Sequence, residues 1–351
     1  MANIEFKYFK NIDLNDNFFD TLKSDYAEFE KWYRNKALEN KAAFVLYENL
    51  NLMAFLYLKI EDEIDSTIIP IFSKKRRLKV GTFKIDAHGT KLGERFIKKI
   101  FDIAIDKKID EIYVTIFEKH LGLLNLLKTF GFYVHGTKIT TNGEELVLIK
   151  KFEHLKNDIL KDYPIIQTEY KRIYGLSIYP IFHTRLFSDS ILNNESVNIL
   201  EDCSYTNSIH KIYLSAMNDV QNFKKGDLIL IYRTTDNLGP ARFRSVITSI
   251  CVVEEILNIY NFKTVEEFLK YCDPYSIFTE DELRGFYKTK RYPFIIKMTY
   301  NVAFKKRVTN GQLIDEFGMP SNQYWGIFDV TLEQFKNIIK AGEVNESLII
   351  N

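Results

Sequence analysis

Apolar residues recur at the spacing of a helix or a strand through most of residues 1–152. In chain order the pattern predicts a helix over 17–40, strands over 43–48, 52–60 and 77–86, a helix to about 107, a strand over 111–117, a helix over 120–130, and strands over 133–140 and 144–152. Asn142-Gly143 between the last two strands is a strong signal for a hairpin turn. Helical and extended periods therefore alternate in this half.

The second half has the pattern of a β-rich domain with a few helices. Strands are predicted over 211–215, 227–233, 242–256, 294–300 and 325–330, and helices over 264–271, 280–287 and 332–341. Thr331 before Leu332 is a typical helix start. Residues 153–178 have the pattern of a linker with some helix, so we expect domains over 1–152 and 197–351 with a junction over 153–196.

Length and composition agree with two globular domains. The chain has 351 residues, 46% of them hydrophobic and 27% charged, which is typical of soluble proteins. It has neither an apolar run of 18 residues nor the apolar core of a signal peptide. Cys203, Cys251 and Cys272 lack the spacing of a zinc site and fit a reducing compartment. We therefore expect a cytoplasmic protein with no membrane partner and no metal.

Charge is balanced overall but uneven along the chain. The formal net charge is +1, yet residues 284–307 contain eight basic residues and no acidic one. Such a stretch can form a phosphate-binding face of a nucleic-acid-binding domain. The alternative is a solvated surface that acidic residues balance elsewhere in the fold, and the sequence leaves both open.

Two segments of the first half carry recognisable chemistry. His88-Gly89-Thr90-Lys91-Leu92-Gly93 lies between a strand and a helix, where unpaired N–H groups and the helix dipole attract a phosphate. Leu123–Phe132 is a helix that ends in Gly-Phe before a strand. In this order the segments resemble the two signatures of the GNAT superfamily of acetyl-CoA-dependent N-acetyltransferases. The resemblance covers 1–152 and implies an α/β GNAT fold, with a mixed central sheet flanked by helices.

The resemblance also implies that acetyl-CoA binds at the turn before the helix. The residues it assigns to the cofactor are Ile85, His88, Gly89, Thr90, Lys91, Leu92 and Gly93. His88 stands where the family usually has Gln or Arg, and Lys91 stands where it has Gly. We expect Lys91 to add positive charge, and Gly93 to remove a side chain where the helix lies near the ligand.

Catalytic residues are less clearly indicated. Many members of the family have a Tyr in the second helix as the acid for the thiolate, but this chain has Leu127 at that position. Tyr133 follows shortly after and is either a catalyst or a half-buried strand residue. Asp86, at the end of a strand, is either a base acting through water or a helix-cap or turn residue. Direct attack by a neutral amine needs mainly orientation.

Residues 197–351 resemble the PUA-like superfamily, particularly its ASCH and EVE branches. The segments that carry the resemblance are Phe223–Tyr232, Ala241–Val253 and Tyr292–Lys297. It implies an α+β PUA-like β-barrel associated with RNA. Cations for phosphates and aromatic rings for unstacked bases are then needed. The candidate cations are Arg233, Arg242, Arg244, Lys288, Lys290 and Arg291, and Arg242 and Arg244 are expected on one face of a strand. The candidate rings are Tyr287, Tyr292, Tyr324 and Trp325, which either stack on bases or belong to the core.

Tyr179–Asp189 is a dense mixture of aromatic, basic and acidic residues before the second domain. One interpretation is a segment that contacts substrate, with His183 and Arg185 facing a phosphate. The other is a linker held by its aromatic residues and by an Arg185–Asp189 ion pair. The sequence does not decide between them.

Together these patterns favour an N-acetyltransferase whose second domain presents an RNA-linked amine, such as aminoacyl-tRNA, as in some bacterial toxins. An antitoxin or a second copy of the chain is a further candidate partner. Two rival hypotheses remain. One is a degenerate GNAT scaffold in a nucleic-acid-binding protein, which the departures at His88, Lys91 and Leu127 favour. The other is a transferase for small molecules or proteins.

Overall fold

The computed structural model of the chain describes residues 4–86, 91–187 and 208–350. It divides into two compact units, Met1–Asp162 and Tyr163–Asn351. Each unit has its own sheet.

The first unit alternates strands and helices. Its strands are β1 (Glu5–Tyr8), β2 (Ala42–Glu48), β3 (Asn51–Glu61), β4 (Ile68–Ile69), β5 (Arg77–Ile85), β6 (Glu111–Ile116), β7 (Tyr133–Thr140) and β8 (Gly143–Lys151). Its helices are α1 (Asp20–Asp25), α2 (Phe29–Leu38), α3 (Leu92–Asp106), α4 (Leu121–Thr129) and α5 (Ile159–Asp162). The sheet has the order β1-β2-β3-β5-β6-β8-β7-β4. Only β5 and β6, among its described pairs, run parallel.

Helices cover both faces of this sheet. Phe55 on β3 packs with Phe9 and Phe19 and with the α2 residue Tyr33. Phe83 on β5 pairs with Leu56, the neighbour of Phe55 on β3. Since successive strand residues point to opposite faces, Phe83 lies on the other side, where its ring packs on Phe96 of α3. The mixed sheet flanked by helices that the sequence predicts is therefore present.

Most predicted elements of this unit are confirmed within one or two residues. The exceptions are short. The predicted helix over 17–40 is divided by a break after Asp25, and β1 and β4 were not predicted. Two- and four-residue strands carry too little periodicity to be seen in a sequence, and both lie at sheet edges, where a single neighbour determines their pairing.

The second unit also combines strands and helices. Its strands are β9 (Ile166–Gln167), β10 (Ile173–Ile178), β11 (His210–Ser215), β12 (Leu228–Arg233), β13 (Val246–Asn258), β14 (Phe294–Thr309), β15 (Ile327–Asp329) and β16 (Ile349–Ile350). Its helices are α6 (Pro180–Leu186), α7 (Ala241–Arg244), α8 (Val265–Cys272), α9 (Glu280–Thr289), α10 (Asn310–Asp315) and α11 (Leu332–Ala341).

Six of these strands form one mixed sheet in the order β11-β14-β13-β12-β10-β15. Three register shifts between β13 and β14 mark bulges, which bend the strands. Among the described residues, the end strands β11 and β15 are not paired with each other. The closed barrel that the resemblance implies is thus not seen in this part of the chain.

Two predictions for this half are wrong in detail. The segment 153–196, expected to be a linker, contributes β10 between β12 and β15, as well as α6. The strand expected over 242–256 begins only at Val246, because Ala241–Arg244 form a short helical turn. The almost entirely buried strand β10 lacks the alternating pattern that identifies strands with one face in solvent.

Candidate functional site

The two parallel strands of the first unit separate at their carboxyl ends. Pairing between β5 and β6 covers only Leu78–Val80 against Ile112–Val114. On the other side of β5 the ladder with β3 skips Gly81, since Leu58 pairs with Val80 and Tyr57 with Thr82. A skipped residue of this kind is a bulge, and a bulge bends its strand. The result is an opening between Gly81–Ile85 and the end of β6.

Two helices begin at this opening. Helix α3 starts at Leu92, after β5, and α4 starts at Leu121, after β6. Because β5 and β6 are parallel, both helices begin at the same edge of the sheet. Their first N–H groups and the positive ends of their dipoles favour an anion there.

The residues expected to bind the cofactor are only partly described. His88, Gly89 and Thr90 lie outside the described residues, whereas Ile85, Lys91, Leu92 and Gly93 frame the gap between β5 and α3. Ile85 ends β5 and is half-buried, and Leu92 is buried. Lys91 directly precedes α3, with its Nζ 3.9 Å from Glu94 Oε1.

Gly93 also has a structural reason within the fold. A Cβ atom at Gly93 would lie 2.7 Å from Cδ2 of Leu126 on α4. The glycine therefore allows α3 to pack closely on α4, and its expected role beside the ligand stays a prediction. Leu127, at the position of the family's Tyr acid, is fully buried. It is a core residue.

The two catalytic candidates, Asp86 and Tyr133, lie on different parts of the sheet. Asp86 directly follows β5, is exposed, and its N–H donates to the Met53 carbonyl. Tyr133 pairs with Ile149, which pairs in turn with Tyr113 on β6. It therefore lies level with the part of β6 that is still paired with β5. That position, before the opening, does not support the predicted catalytic role of Tyr133.

Helix α1 is held at the open ends of both strands. Lys84 on β5 donates from its ammonium group to the Phe18 carbonyl, just before α1. Asp25, the last residue of α1, contacts Lys119 Nζ at 2.5 Å and His120 Nε2 at 2.9 Å, both after β6. The charge of Asp25 also acts on Lys84. The Asp25 carboxylate is thus tied to the end of β6 and lies within electrostatic range of the end of β5.

The pair of Asp25 and His120 has the geometry of an oriented base. A carboxylate only accepts hydrogen bonds, so the imidazole donates through Nε2, and Nδ1 of the neutral ring is then an acceptor. The His120 side chain is 41% exposed, whereas that of Asp25 is 10% exposed. Asp25 therefore holds the ring while part of the imidazole remains accessible to solvent.

The loop after α1 is fixed by the β7–β8 hairpin. Tyr26 donates from its hydroxyl to Glu145 Oε1 at 2.7 Å, and its ring packs 5.2 Å from that of Phe117. Asn142 accepts from the Ala27 N–H and donates to both carboxylate oxygens of Glu28. Burial, together with the hydrogen bond to Glu145, raises the pKa of Tyr26 well above its usual range. The Tyr26 hydroxyl is therefore a donor at neutral pH.

An open cleft of about 520 Å³ adjoins this loop. Its lining residues are Lys23, Tyr26, Ala27, Glu30, Lys31, Arg34 and Asn35. The side chains that sequence reasoning missed, Asp25, Tyr26, His120 and Glu145, come from separate parts of the chain. No spacing pattern connects them, because residues 25 and 120 meet only when α1 crosses the sheet end.

In the second unit, His183 is not placed to meet a phosphate. It is fully buried on α6, where its Nε2 lies 2.8 Å from Thr248 Oγ1. Burial, with the charges of Arg233 and Arg307, lowers the pKa of His183 to about 3. The ring is therefore neutral at pH 7. Arg233 is also buried, and Arg185 donates to the Ile277 carbonyl. The proposed partner Asp189 lies outside the described residues.

Arg242 and Arg244 lie in the helical turn before β13. They are not on one face of a strand, as was expected. Arg242 forms an ion pair with Asp315, and Arg244 forms one with Asp236. The hydrogen bonds from Arg244 hold the pKa of Asp236 well below its usual range. Both guanidinium groups are therefore partly neutralised before any nucleic acid arrives.

A separate surface, called the basic turn here, lies at the end of α9 and just after it, before β14, and consists of Lys288, Lys290 and Arg291. No ion pair between described residues involves any of the three. Lys290 Nζ lies 3.2 Å from the ring centre of Tyr287 and 5.5 Å from that of Tyr260, which is 69% exposed. The basic turn adjoins the start of β14, while Arg242 lies near its end. The structure therefore divides the predicted RNA-binding residues between two ends of one sheet.

The described part of the chain contains no group of three or more His, Cys, Asp or Glu side chains arranged to hold a metal ion. No helix formed by these residues is long and apolar enough to span a membrane. Cys251 and Cys272 are buried free thiols. Burial raises the pKa of both thiols above the usual range, so neither is a ready nucleophile.

Comparison with known proteins gives structural neighbours only. No protein-family model matches the chain, and no curated protein matches it in sequence. An N-acetyltransferase from Staphylococcus aureus is 16% identical, with a TM-score of 0.32, and the alignment covers 43% of this chain and 97% of the acetyltransferase. A GNAT family acetyltransferase from Elizabethkingia anophelis with acetyl-CoA bound has 11% identity and a TM-score of 0.31, and the alignment covers 43% of this chain and 97% of that protein. The ASCH protein from Zymomonas mobilis has 9% identity and a TM-score of 0.31, and the alignment covers 48% of this chain and 94% of the ASCH protein.

Proposed function

We propose that the first unit transfers the acetyl group of acetyl-CoA to an amine. The observation that carries this proposal is the opening between β5 and β6, with the starts of α3 and α4 at its edge. An extended ligand arm with amide groups can take the place of the missing strand partner along Gly81–Ile85. Its pyrophosphate would meet the start of α3 and Lys91.

The proposed ligand supplies an activated acetyl thioester. The chain supplies orientation and hydrogen bonds, which are the main requirements for attack by an amine. The loop over Tyr26 and Ala27, with its adjoining cleft, gives the acceptor a place to bind beside the opening. Leu127 cannot donate a proton to the leaving sulfur, so other groups at the opening must transfer the protons from the amine and to the sulfur.

Calorimetry with acetyl-CoA tests this proposal. Wild-type protein is expected to bind it, and Lys91→Glu is expected to weaken binding about tenfold, since it reverses a charge at the pyrophosphate position. Lys128→Glu is the matched control, because Lys128 is exposed at the other end of α4. Gly93 is unsuitable for this test, since its substitution disturbs the contact with Leu126. Absence of acetyl-CoA binding by the wild-type protein would refute the proposal.

We also infer that the second unit binds RNA through the basic turn. Three exposed or half-exposed cations beside the exposed ring of Tyr260 offer phosphate contacts and a stacking surface. An RNA-linked amine, such as the aminoacyl group of a tRNA, would then be an acceptor for the first unit. The support for this inference is the surface chemistry of the basic turn.

Salt-dependent binding of tRNA tests the inference. The triple variant Lys288→Gln, Lys290→Gln and Arg291→Gln is expected to reduce the slope of log K against log salt by about 2, at about 0.7 per phosphate contact. The control is Lys305→Gln, Lys306→Gln and Lys340→Gln, which removes the same charge from exposed positions away from the turn. Equal slopes for the two triple variants would refute the role of the basic turn.

A further inference from the structure

The mouth of the opening in the first unit contains a side-chain pair that neither the motifs nor the cofactor site explains. His120 precedes α4 and contacts the Asp25 carboxylate at 2.9 Å. Its backbone N–H donates to the Phe117 carbonyl, which returns the chain toward the end of β6. Both residues therefore lie where the separated strands end.

We propose that His120 is the general base that removes a proton from the acceptor amine, and that Asp25 positions it. This inference rests on the proposed acetyl transfer. The acceptor is then an amine that arrives as an ammonium ion, because such an acceptor must lose a proton before its nitrogen can attack.

Asp25 is held well enough to position the ring. Its carboxylate is 10% exposed and accepts from Lys119 as well as from His120. Lys119 thus occupies one carboxylate oxygen and His120 the other. With Nε2 committed to Asp25, Nδ1 is the atom available to take a proton.

The proton and electron balance of the step is simple. His120 Nδ1 takes one proton from the ammonium group, and the nitrogen lone pair forms the new bond to the acyl carbon. The carbon–sulfur bond breaks, and its electron pair leaves with sulfur. The second proton of the nitrogen reaches the sulfur and gives the thiol. Imidazolium then loses its proton to water, so one amide, one thiol and one proton result.

Other charged groups face the pair and stay constant in the test. Lys119 lies beside it, and Lys84 on β5 lies within the field of Asp25. Glu145 on β8 and Glu28 before α2 act on Tyr26, as does Asp25. Because these groups are unchanged in variants of His120, a change in pH dependence can be attributed to the imidazole.

The kinetic test uses acetyl-CoA with spermidine, glycinamide and puromycin as probe amines. His120→Gln is expected to lower kcat about 100-fold, with little change in acetyl-CoA affinity, and to remove the acid limb of the pH profile, as the loss of a general base does. Asp25→Asn is expected to lower kcat about tenfold and to shift that limb. His154→Gln is the control, since His154 also faces a carboxylate, that of Glu153, at 3.8 Å.

A second measurement does not depend on turnover. Nitrogen-15 NMR is expected to show that the neutral tautomer of His120 has its proton on Nε2, and Asp25→Asn is expected to weaken that preference. A proton on Nδ1 in the wild-type protein would overturn the assignment.

The kinetic outcomes separate this inference from the proposed function. Transfer by the wild-type protein with an unchanged rate and pH profile for His120→Gln would overturn the role of His120 and leave acetyl transfer standing. Binding of acetyl-CoA without transfer to any of the three amines would overturn His120 as a base for primary amines. Absence of acetyl-CoA binding would remove both proposals.

Discussion

Lys150 is a buried cation whose removal is expected to stabilise the first unit. It lies on β8, is 2% exposed, and donates from its ammonium group to the Lys161 carbonyl. Burial lowers the pKa of Lys150 to about 7, although Asp162 and Asp158 oppose the shift. At 1.36 kcal/mol per pKa unit, the change from 10.5 to about 7 corresponds to a penalty of about 5 kcal/mol as an upper limit.

The pH dependence has a definite sign. The folded state binds this proton more weakly than the unfolded chain, so the penalty is fully present below about pH 7 and is relieved between about pH 7 and 10.5. Lys150→Met removes the penalty but also the hydrogen bond to Lys161, which is worth about 1 kcal/mol. Allowing for relaxation around the charge, we expect Lys150→Met to raise the free energy of unfolding by about 2 kcal/mol at pH 7, and the difference to vanish near pH 10.

Urea denaturation followed by tryptophan fluorescence measures this change. The chain has two tryptophans, Trp32 in the first unit and Trp325 in the second. A Trp325→Phe background therefore leaves Trp32 as the reporter of the first unit. Lys128→Met, at an exposed position, is the control. A destabilised Lys150→Met protein at pH 7, or a difference that does not vary with pH, would refute the reasoning.

Two further predictions use the same reporter, Trp32. Glu111→Gln is expected to lower the free energy of unfolding of the first unit by about 3 kcal/mol, because it leaves the buried Arg77 without its carboxylate partner, now 2.7 Å away. Burial alone would raise the pKa of Glu111, but Lys75, Arg77 and Lys151 hold that pKa below its usual value. The stability that the Glu111 carboxylate contributes is therefore lost only as the pH falls below about 4.5. Equal acid sensitivity of the variant and the wild-type protein would contradict this prediction. Gly93→Ala is expected to lower the free energy of unfolding by about 1–2 kcal/mol, because the new Cβ atom meets Leu126, and Leu126→Ala is expected to restore part of this loss. Additive effects of the two substitutions would show that the contact is unimportant.

Local features of the chain were readable from the sequence. Helix α3 has a continuous apolar face, the Asn142-Gly143 turn joins β7 and β8, and Thr331 caps α11 by accepting from the Gln334 N–H at 3.2 Å. Each of these depends on residues within a few positions of one another. Periodicity, turn chemistry and capping therefore determine the order of elements in the first unit, and the location of the turn before α3.

Only the tertiary structure decided where the chemistry lies. The opening between β5 and β6 depends on a bulge at Gly81 that is defined by its pairing with β3. Asp25 and His120 are 95 residues apart and meet because α1 lies across the ends of two strands. His183 was a phosphate candidate from its neighbours in sequence, but the packing of α6 on the sheet buries it completely. Burial and long-range contact depend on how distant elements pack, and the composition of a short segment does not contain that information.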